Sequence, residues 1–187
     1  MDVLSDVLRA VRLTGAVYFD VRAREPWIAE TPPVASICTE VMPEFEHVIS
    51  FHIVLDGACW AQLGDDPGSA VQLAAGDVVI FPRGDSHVLG SERGVRSEPD
   101  YSMYYRPTDR QLPFVFKELG GKGKASRFIC GYFGCDARPF NPILDALPRL
   151  LHVRATQEAK ISPAISCAWR CRRMSAHAPA AKPSSRN

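Results

Sequence analysis

The sequence lacks several features that would assign it to a specialised class of protein. No apolar run approaches the roughly 18 residues that cross a membrane. Residues 1–6 are acidic and lack the basic and apolar regions of a secretory signal. Six cysteines in 187 residues are too few for a disulfide-dense scaffold. We therefore expect a cytoplasmic protein with free thiols and no membrane partner.

Common signatures of catalysis and of nucleic-acid binding are also missing. The chain has neither a glycine-rich phosphate loop nor a nucleophile elbow. No pair of carboxylates has a spacing that favours general acid–base catalysis over a solvated surface. Residues 155–187 hold six Lys and Arg residues against one acid, so residues 1–154 are mildly acidic. Because phosphate binding needs clustered cations, such a body is a poor general surface for nucleic acid.

The chain does contain a series of short apolar segments separated by turn residues. Asp56-Gly57, between two of them, is typical of a hairpin turn. Many short strands at this spacing indicate a β-sandwich or barrel. We predict an all-β fold, a small jelly-roll barrel, with amphipathic helices at 2–13 and 143–153, the second interrupted by Pro148. The predicted strands are 15–21, 34–38, 47–55, 58–63, 70–73, 78–81, 100–105, 114–116 and 126–130.

The segment from Gly76 to His87 organises this series. Its apolar run is rich in β-branched residues and reads as a buried strand, which Pro82 ends because proline has no N–H for the ladder. Gly84 permits the sharp reversal that follows and delivers His87 beyond the turn. This segment resembles the second motif of the cupin barrels: a glycine, five residues, Pro-x-Gly, two residues and a histidine. Ser91 stands where the family has asparagine.

Three further segments extend the resemblance: 51–60, 130–131 and 145–153. In this order, they are similar to the N-terminal cupin domain of a branch of AraC-type transcriptional regulators, over about residues 2–154. The resemblance implies a sensing and dimerisation domain at 1–154, with a small-molecule effector and a homodimer as partners.

In that family a separate C-terminal domain with two helix-turn-helix units binds DNA. Residues 155–187 are too few for it, so we expect no sequence-specific DNA binding. These residues are basic and low in complexity, and we predict that they are disordered. Their origin is left open between a selected tail and an out-of-frame product.

The cupin enzymes bind metal through two histidines and a glutamate of the first motif and one histidine of the second. Only His87 matches, and Ser50 occupies the glutamate position, so the usual iron or manganese site is not present in its ordinary form. A different site, for zinc, is conceivable because two imidazoles and two thiolates suit tetrahedral coordination. The candidate ligands are His47, His52, His87, Cys130 and Cys135.

The zinc hypothesis has an alternative. His47 and His52 are five residues apart, so on a regular strand they face opposite sides. In the alternative, Cys130 and Cys135 are small buried hydrophobic residues and each histidine is hydrogen-bonded in place.

Aromatic residues suggest a pocket for the effector. We predict that Trp60, Phe51 and Tyr104 line it, with core packing as the alternative. Two functions remain open at this stage. The first is a non-catalytic regulatory cupin domain without its DNA-binding half. The second is a small metal-dependent cupin enzyme acting on a small organic molecule, with His87 as the metal ligand that the motif supports best.

Overall fold

A computed structural model describes residues 14–105, 112–135, 144 and 146–155, with the side chains at 14, 16–17 and 116–118 left out. These residues belong to one compact unit that ends at Ala155. The predicted helix at 2–13, the tail at 156–187 and much of the predicted second helix lie outside the described residues. Within the described residues, no helix is both long enough and apolar enough to cross a membrane.

Ten strands dominate the described part of the chain. They are β1 (Thr14–Arg24), β2 (Ile28–Thr31), β3 (His47–Asp56), β4 (Ala58–Leu63), β5 (Val71–Ala74), β6 (Val78–Phe81), β7 (His87–Gly90), β8 (Phe114–Gly120), β9 (Ala125–Cys135) and β10 (Leu151–Val153). In the described residues, the helical elements with defined bounds are three 3-10 turns, Val34–Ser36, Pro67–Ser69 and Tyr101–Tyr104, and one short α-helix, Cys38–Val41. Leu144 and Ala146, within the predicted second helix, are also helical.

The strands form two sheets. The larger sheet has the order β10-β6-β3-β9-β1-β8, and the smaller has the order β2-β7-β4-β5. Side chains from both sheets form one hydrophobic core, which includes Phe81 and Phe128 from the larger sheet and Leu89 from the smaller. The prediction of a mostly β fold is therefore confirmed. The two sheets are consistent with the predicted jelly roll, but they do not close into a barrel, because no strand pairing joins them in the described residues.

Several predicted elements differ from the structure for local reasons. Residues 34–38 and 100–105 were predicted as strands, but both segments contain 3-10 turns. The second turn begins where Asp100 Oδ1 accepts a hydrogen bond from the Ser102 N–H at 3.0 Å. Residues 131–135, predicted as a turn, continue β9 between β3 and β1, where two neighbouring ladders satisfy the backbone of a glycine-containing segment. Residues 151–153, predicted as helical, pair with β6 as β10.

The turn after β6 confirms the role predicted for its glycine. Gly84 has a φ of 67°, in the left-handed region that glycine favours. Its N–H donates to the Phe81 carbonyl at 3.1 Å, and its own carbonyl accepts from the Val34 N–H at 2.8 Å. A Cβ at this position would lie 3.0 Å from the Val48 carbonyl oxygen. The turn is thus packed from both sides, and it places His87 at the first position of β7.

Candidate ligand cavity

The register of β3 against β9 separates the predicted metal ligands into two groups. His52 lies opposite Cys130, whereas His47 lies opposite Cys135 at the other end of the ladder. Five residues of strand span roughly 17 Å. His52 and Cys130 line a cavity between the two sheets. His47 lines a different pocket on the outside, where its Nε2–H donates to the Pro82 carbonyl at 2.7 Å.

The five residues predicted to bind zinc do not fit a single metal site. Among the described residues, no three His, Cys, Asp or Glu side chains are grouped so that they could hold a metal ion. His52 and His87 come together, but His47 and Cys135 lie at the far end of the β3–β9 ladder. Zinc is therefore not confirmed by the arrangement of its predicted ligands.

His52 and His87 form a buried pair whose protonation follows from its neighbours. The two Nε2 atoms are 2.8 Å apart, and His87 Nδ1 lies 2.9 Å from the Asp85 carbonyl oxygen. A carbonyl only accepts, so His87 Nδ1 carries the proton. In neutral His87 the Nε2 atom is then an acceptor, and His52 Nε2 must donate to it. Neutral His52 is left with a lone pair on Nδ1, which has no hydrogen-bond partner.

Burial keeps both imidazoles neutral. Desolvation lowers the pKa of His87 to about 4, although the Asp85 carbonyl acts in the opposite direction. Desolvation, followed by the proximity of His87, holds the pKa of His52 well below its usual value. The Phe81 ring stacks on His87 with ring centroids 3.8 Å apart and excludes water from that face. The hydrogen-bond direction, from His52 to His87 to the Asp85 carbonyl, is therefore fixed near neutral pH.

The cavity between the sheets, here called the interior cavity, has a volume of about 220 Å³. Most of its wall is apolar or aromatic, with a few polar groups from both sheets. This composition is typical of small-molecule sites, in which a few polar groups orient a ligand held by apolar contacts. The wall residues that carry the argument below are Glu30, Thr31, His52, Tyr104, Cys130 and Tyr132.

Three buried ionisable groups of this wall have pKa values raised above their usual range. Burial raises the pKa of Tyr104 to about 12, although interactions with the Thr31 and Tyr132 side chains act in the opposite direction. Burial also raises the pKa of Tyr132 and that of the Cys130 thiol, and Cys130 is affected further by Cys59. Near neutral pH these three groups are therefore protonated.

Glu30 is the buried carboxylate of the wall. Its side chain is 3% exposed, and its carboxylate accepts hydrogen bonds from Arg96 Nε at 2.9 Å and from the Ser97 N–H at 3.1 Å. Burial alone would raise the Glu30 pKa, but these bonds and the Arg96 charge outweigh it, and the pKa is lowered. The carboxylate is thus charged and already paired.

The three predicted pocket aromatics have different positions. Tyr104 lines the interior cavity. Phe51 lies outside its wall and stacks on Phe133, with ring centroids 4.4 Å apart. Trp60 also lies outside the wall, and the Arg93 guanidinium carbon lies 6.0 Å from the centroid of its ring. The reason is strand alternation, because the neighbours of these two residues, His52 and Cys59, face the interior.

Sequence reasoning missed the contribution of β2, which supplies Glu30 and Thr31 to the wall. This strand has four residues and a charged side chain, so its pattern is too short to distinguish from a loop. Tyr132 was missed because its glycine-flanked segment was predicted as a turn. Alternation of buried residues from Phe128 through Cys130 to Tyr132 was the signal that would have placed it on a strand.

A second pocket lies outside the sandwich and is called the outer pocket. Its volume is about 500 Å³, and its wall is rich in charged side chains. Arg149 joins two of them, donating to Asp85 Oδ1 at 3.0 Å through Nε and to Asp65 Oδ1 at 3.0 Å through Nη2. These hydrogen bonds raise the pKa of Arg149 and lower that of Asp65.

Two facing sheets, a cavity between them and a histidine placed by the Pro-x-Gly turn define the cupin class of β fold. The sequence profile of the family described as Cupin matches residues 2–177, and the chain belongs to that family. The match extends beyond residue 154, where the sequence analysis placed the end of the domain.

One solved structure similar to this chain is that of YhaK from Escherichia coli, with 14% sequence identity and a TM-score of 0.36. The similarity covers 77% of this chain and 41% of the YhaK chain. No curated protein matches the chain significantly.

Proposed function

We propose that this cupin chain is a non-catalytic sensing domain that binds a small-molecule effector in the interior cavity, of the kind found in AraC-type transcriptional regulators. The observation that carries the proposal is the cavity of about 220 Å³ between the two sheets, with its largely apolar wall. The affiliation with AraC-type regulators is supported by the order of the sequence motifs quoted above.

The protonation states of the cavity wall support binding rather than catalysis. A general acid or base works best with a pKa near the operating pH, whereas burial holds the pKa of His52 well below its usual value and raises that of Tyr104 to about 12. A nucleophilic cysteine needs a lowered pKa, whereas burial raises that of Cys130. The buried carboxylate, Glu30, is engaged by Arg96. Each group is held in one protonation state, which suits a wall that recognises a ligand without reacting with it.

The alternative of a metal-dependent cupin enzyme stays a prediction. The observation in its favour is the approach of two imidazole Nε2 atoms to 2.8 Å, with the His87 Nδ1–H held by a backbone carbonyl. Metal-binding histidines commonly have such a partner for their second nitrogen. Metal analysis distinguishes the two functions and is described in the Discussion.

Binding in the interior cavity can be tested by blocking it. A library of one-ring compounds is screened by thermal shift against the wild type, Ala29→Phe and Ala35→Phe. Ala29 lines the interior cavity, whereas Ala35 lines the outer pocket and is exposed. We expect compounds that stabilise the wild type and Ala35→Phe but not Ala29→Phe. Stabilisation lost only in Ala35→Phe would place the site in the outer pocket and contradict the proposal.

The regulatory part of the proposal includes a homodimer and a cytoplasmic location. Sedimentation velocity is expected to give twice the chain mass of 20.6 kDa. Co-expression with a full-length AraC-type relative is expected to reduce operator binding by that relative through mixed dimers. Unchanged operator binding, together with a monomeric chain, would remove the regulatory proposal and leave ligand binding alone.

A further inference from the structure

The size of the interior cavity limits its ligand to about one ring. An apolar protein cavity of about 150 Å³ accommodates a benzene molecule, and the interior cavity has about 220 Å³. Phe19, Phe128 and Leu119 contribute to the apolar part of the wall. Scaled from benzene, the space holds roughly nine ligand heavy atoms, so a six-membered ring with one short substituent fills it.

The charge of the cavity disfavours an anion. In the described residues, neither Lys nor Arg lines the interior cavity, whereas Glu30, Glu98 and Asp100 do. Arg96 compensates the Glu30 charge, but Glu98 and Asp100 are exposed and stand at the rim. Burying an unpaired carboxylate here would incur both the desolvation cost and the repulsion of these acids.

The hydrogen-bonding capacity of the wall calls for a donor on the ligand. The Tyr104 hydroxyl is engaged by the Thr31 and Tyr132 side chains, and both Glu30 oxygens accept from Arg96. His52 lines the cavity, and its Nε2 is turned to His87, which is not part of the wall. The His52 Nδ1 lone pair remains without a partner and is buried, which is costly until a donor satisfies it.

We propose that the interior cavity selects a one-ring molecule that carries a hydrogen-bond donor and no negative charge, such as an aromatic alcohol or amine. This inference rests on the proposed effector-binding function and defines the chemical class of the effector. Sugar acids, phosphates and aromatic carboxylates are excluded by the same contacts.

Four probes of matched size test the class: benzyl alcohol, its isomer anisole, benzylamine and benzoate. Their affinities for the full chain are measured by calorimetric titration near neutral pH. We expect benzyl alcohol and benzylamine to bind, and anisole and benzoate to bind roughly tenfold more weakly or worse, the equivalent of one lost hydrogen bond to a buried acceptor. Anisole contains an ether oxygen but no donor, so it isolates the role of the donor.

A charge reversal at the rim sharpens the test. Glu98→Lys is expected to reduce the preference for benzylamine over benzoate several-fold, because it places a cation at the mouth of the cavity. Glu92→Lys makes the same change at an exposed acid outside the wall and is expected to leave the preference as in the wild type.

The outcomes separate this inference from the function on which it rests. Benzoate binding as tightly as benzyl alcohol overturns the charge requirement, and anisole doing so overturns the donor requirement. In both cases loss of binding in Ala29→Phe would still support the cavity as the site. Failure of every probe to bind the wild type overturns the inferred ligand class and leaves the proposed function to the library screen. Equal binding by a folded Ala29→Phe overturns the proposed function together with the inference.

Discussion

The interior cavity is smaller than the outer pocket, but it contains the more deeply buried polar groups. The outer pocket, with about 500 Å³, is more than twice as large as the interior cavity, with about 220 Å³. Its ion pair between Asp65 and Arg149 lies at the surface, where Asp65 is 66% exposed in its side chain. Water screens such pairs, so they contribute little to stability or to ligand affinity.

The interior cavity places some of its polar groups where water does not screen them. Glu30 is 3% exposed in its side chain, and His52 is buried. In this environment each hydrogen bond and each unpartnered atom carries more energy. Under the proposed function, burial of the polar groups, and not volume, is the feature that distinguishes the interior cavity as the candidate site.

The largest expected difference between the two regions is in the response to acid. His87 has a pKa of about 4 in the folded state and a usual value of 6.5. Between these values the unfolded chain binds the extra proton, so stability rises with pH through this window, by an amount on the order of 3 kcal/mol for this group. Urea unfolding at a series of pH values measures it.

Removal of the buried imidazole should flatten this dependence. In His87→Asn we expect the slope of unfolding free energy against pH to fall by about one proton between these pH values. Asp65→Asn, in the outer pocket, is the control and keeps the wild-type slope. An unchanged slope in both His87→Asn and His52→Asn would show that the pair does not titrate in this way.

A smaller effect is expected from matched replacements of a carboxylate by an amide. Glu30→Gln removes the charge from hydrogen bonds to Arg96 and Ser97 inside the sandwich, at a cost of about 2 kcal/mol. Asp65→Asn alters the outer pair with Arg149 and is expected to leave the unfolding midpoint unchanged.

The Glu30 effect also has a pH signature. The Glu30 pKa is lowered in the folded state, so the contribution of its charge is present above the usual value of 4.5 and is lost as pH falls through the folded pKa. The difference between wild type and Glu30→Gln should therefore shrink in acid. Equal destabilisation by Glu30→Gln and Asp65→Asn at neutral pH would contradict the distinction between the two regions.

The smallest expected effect concerns metal content. Elemental analysis of the purified wild type beside Cys130→Ser is expected to give far less than one equivalent of zinc in both. The reason is that the predicted ligands are divided between the two regions and the Cys130 thiol is protonated, whereas a metal ligand must be a thiolate.

Two other results would change this interpretation. Near-stoichiometric zinc that falls in Cys130→Ser would establish a Cys/His site at the interior cavity. Iron or manganese that is unaffected by the substitution would favour the metal-dependent enzyme.

The long strands and the turn at Gly84 could be predicted because their signals are local. Residues 47–56 show a continuous apolar pattern, and the proline and glycine after β6 act through their own backbone. The segments at 34–38 and 100–105 contain similar residue types, but capping and a preceding proline pair favoured 3-10 turns.

The site was only partly predictable, for reasons of register. His52, His87, Cys130 and Tyr104 were identified by residue type. In the fold His52 contacts His87 and lies opposite Cys130 in the β3–β9 ladder. Which donors share a cavity depends on strand pairing across many residues, and a list of residue types does not contain that information. Phe51 and Trp60 were misplaced for the same reason, since a shift of one residue exchanges the two faces of a strand.

The fixed hydrogen-bond direction through the histidine pair has a consequence for proton linkage. His52 donates to His87, and His87 donates to the Asp85 carbonyl. The remaining lone pair on His52 Nδ1 can therefore accept a hydrogen bond without any change in the protonation of either histidine. A ligand that donates to this atom takes up no proton and releases none. Occupancy of the cavity would then report the concentration of its ligand and stay insensitive to modest changes of pH around neutrality.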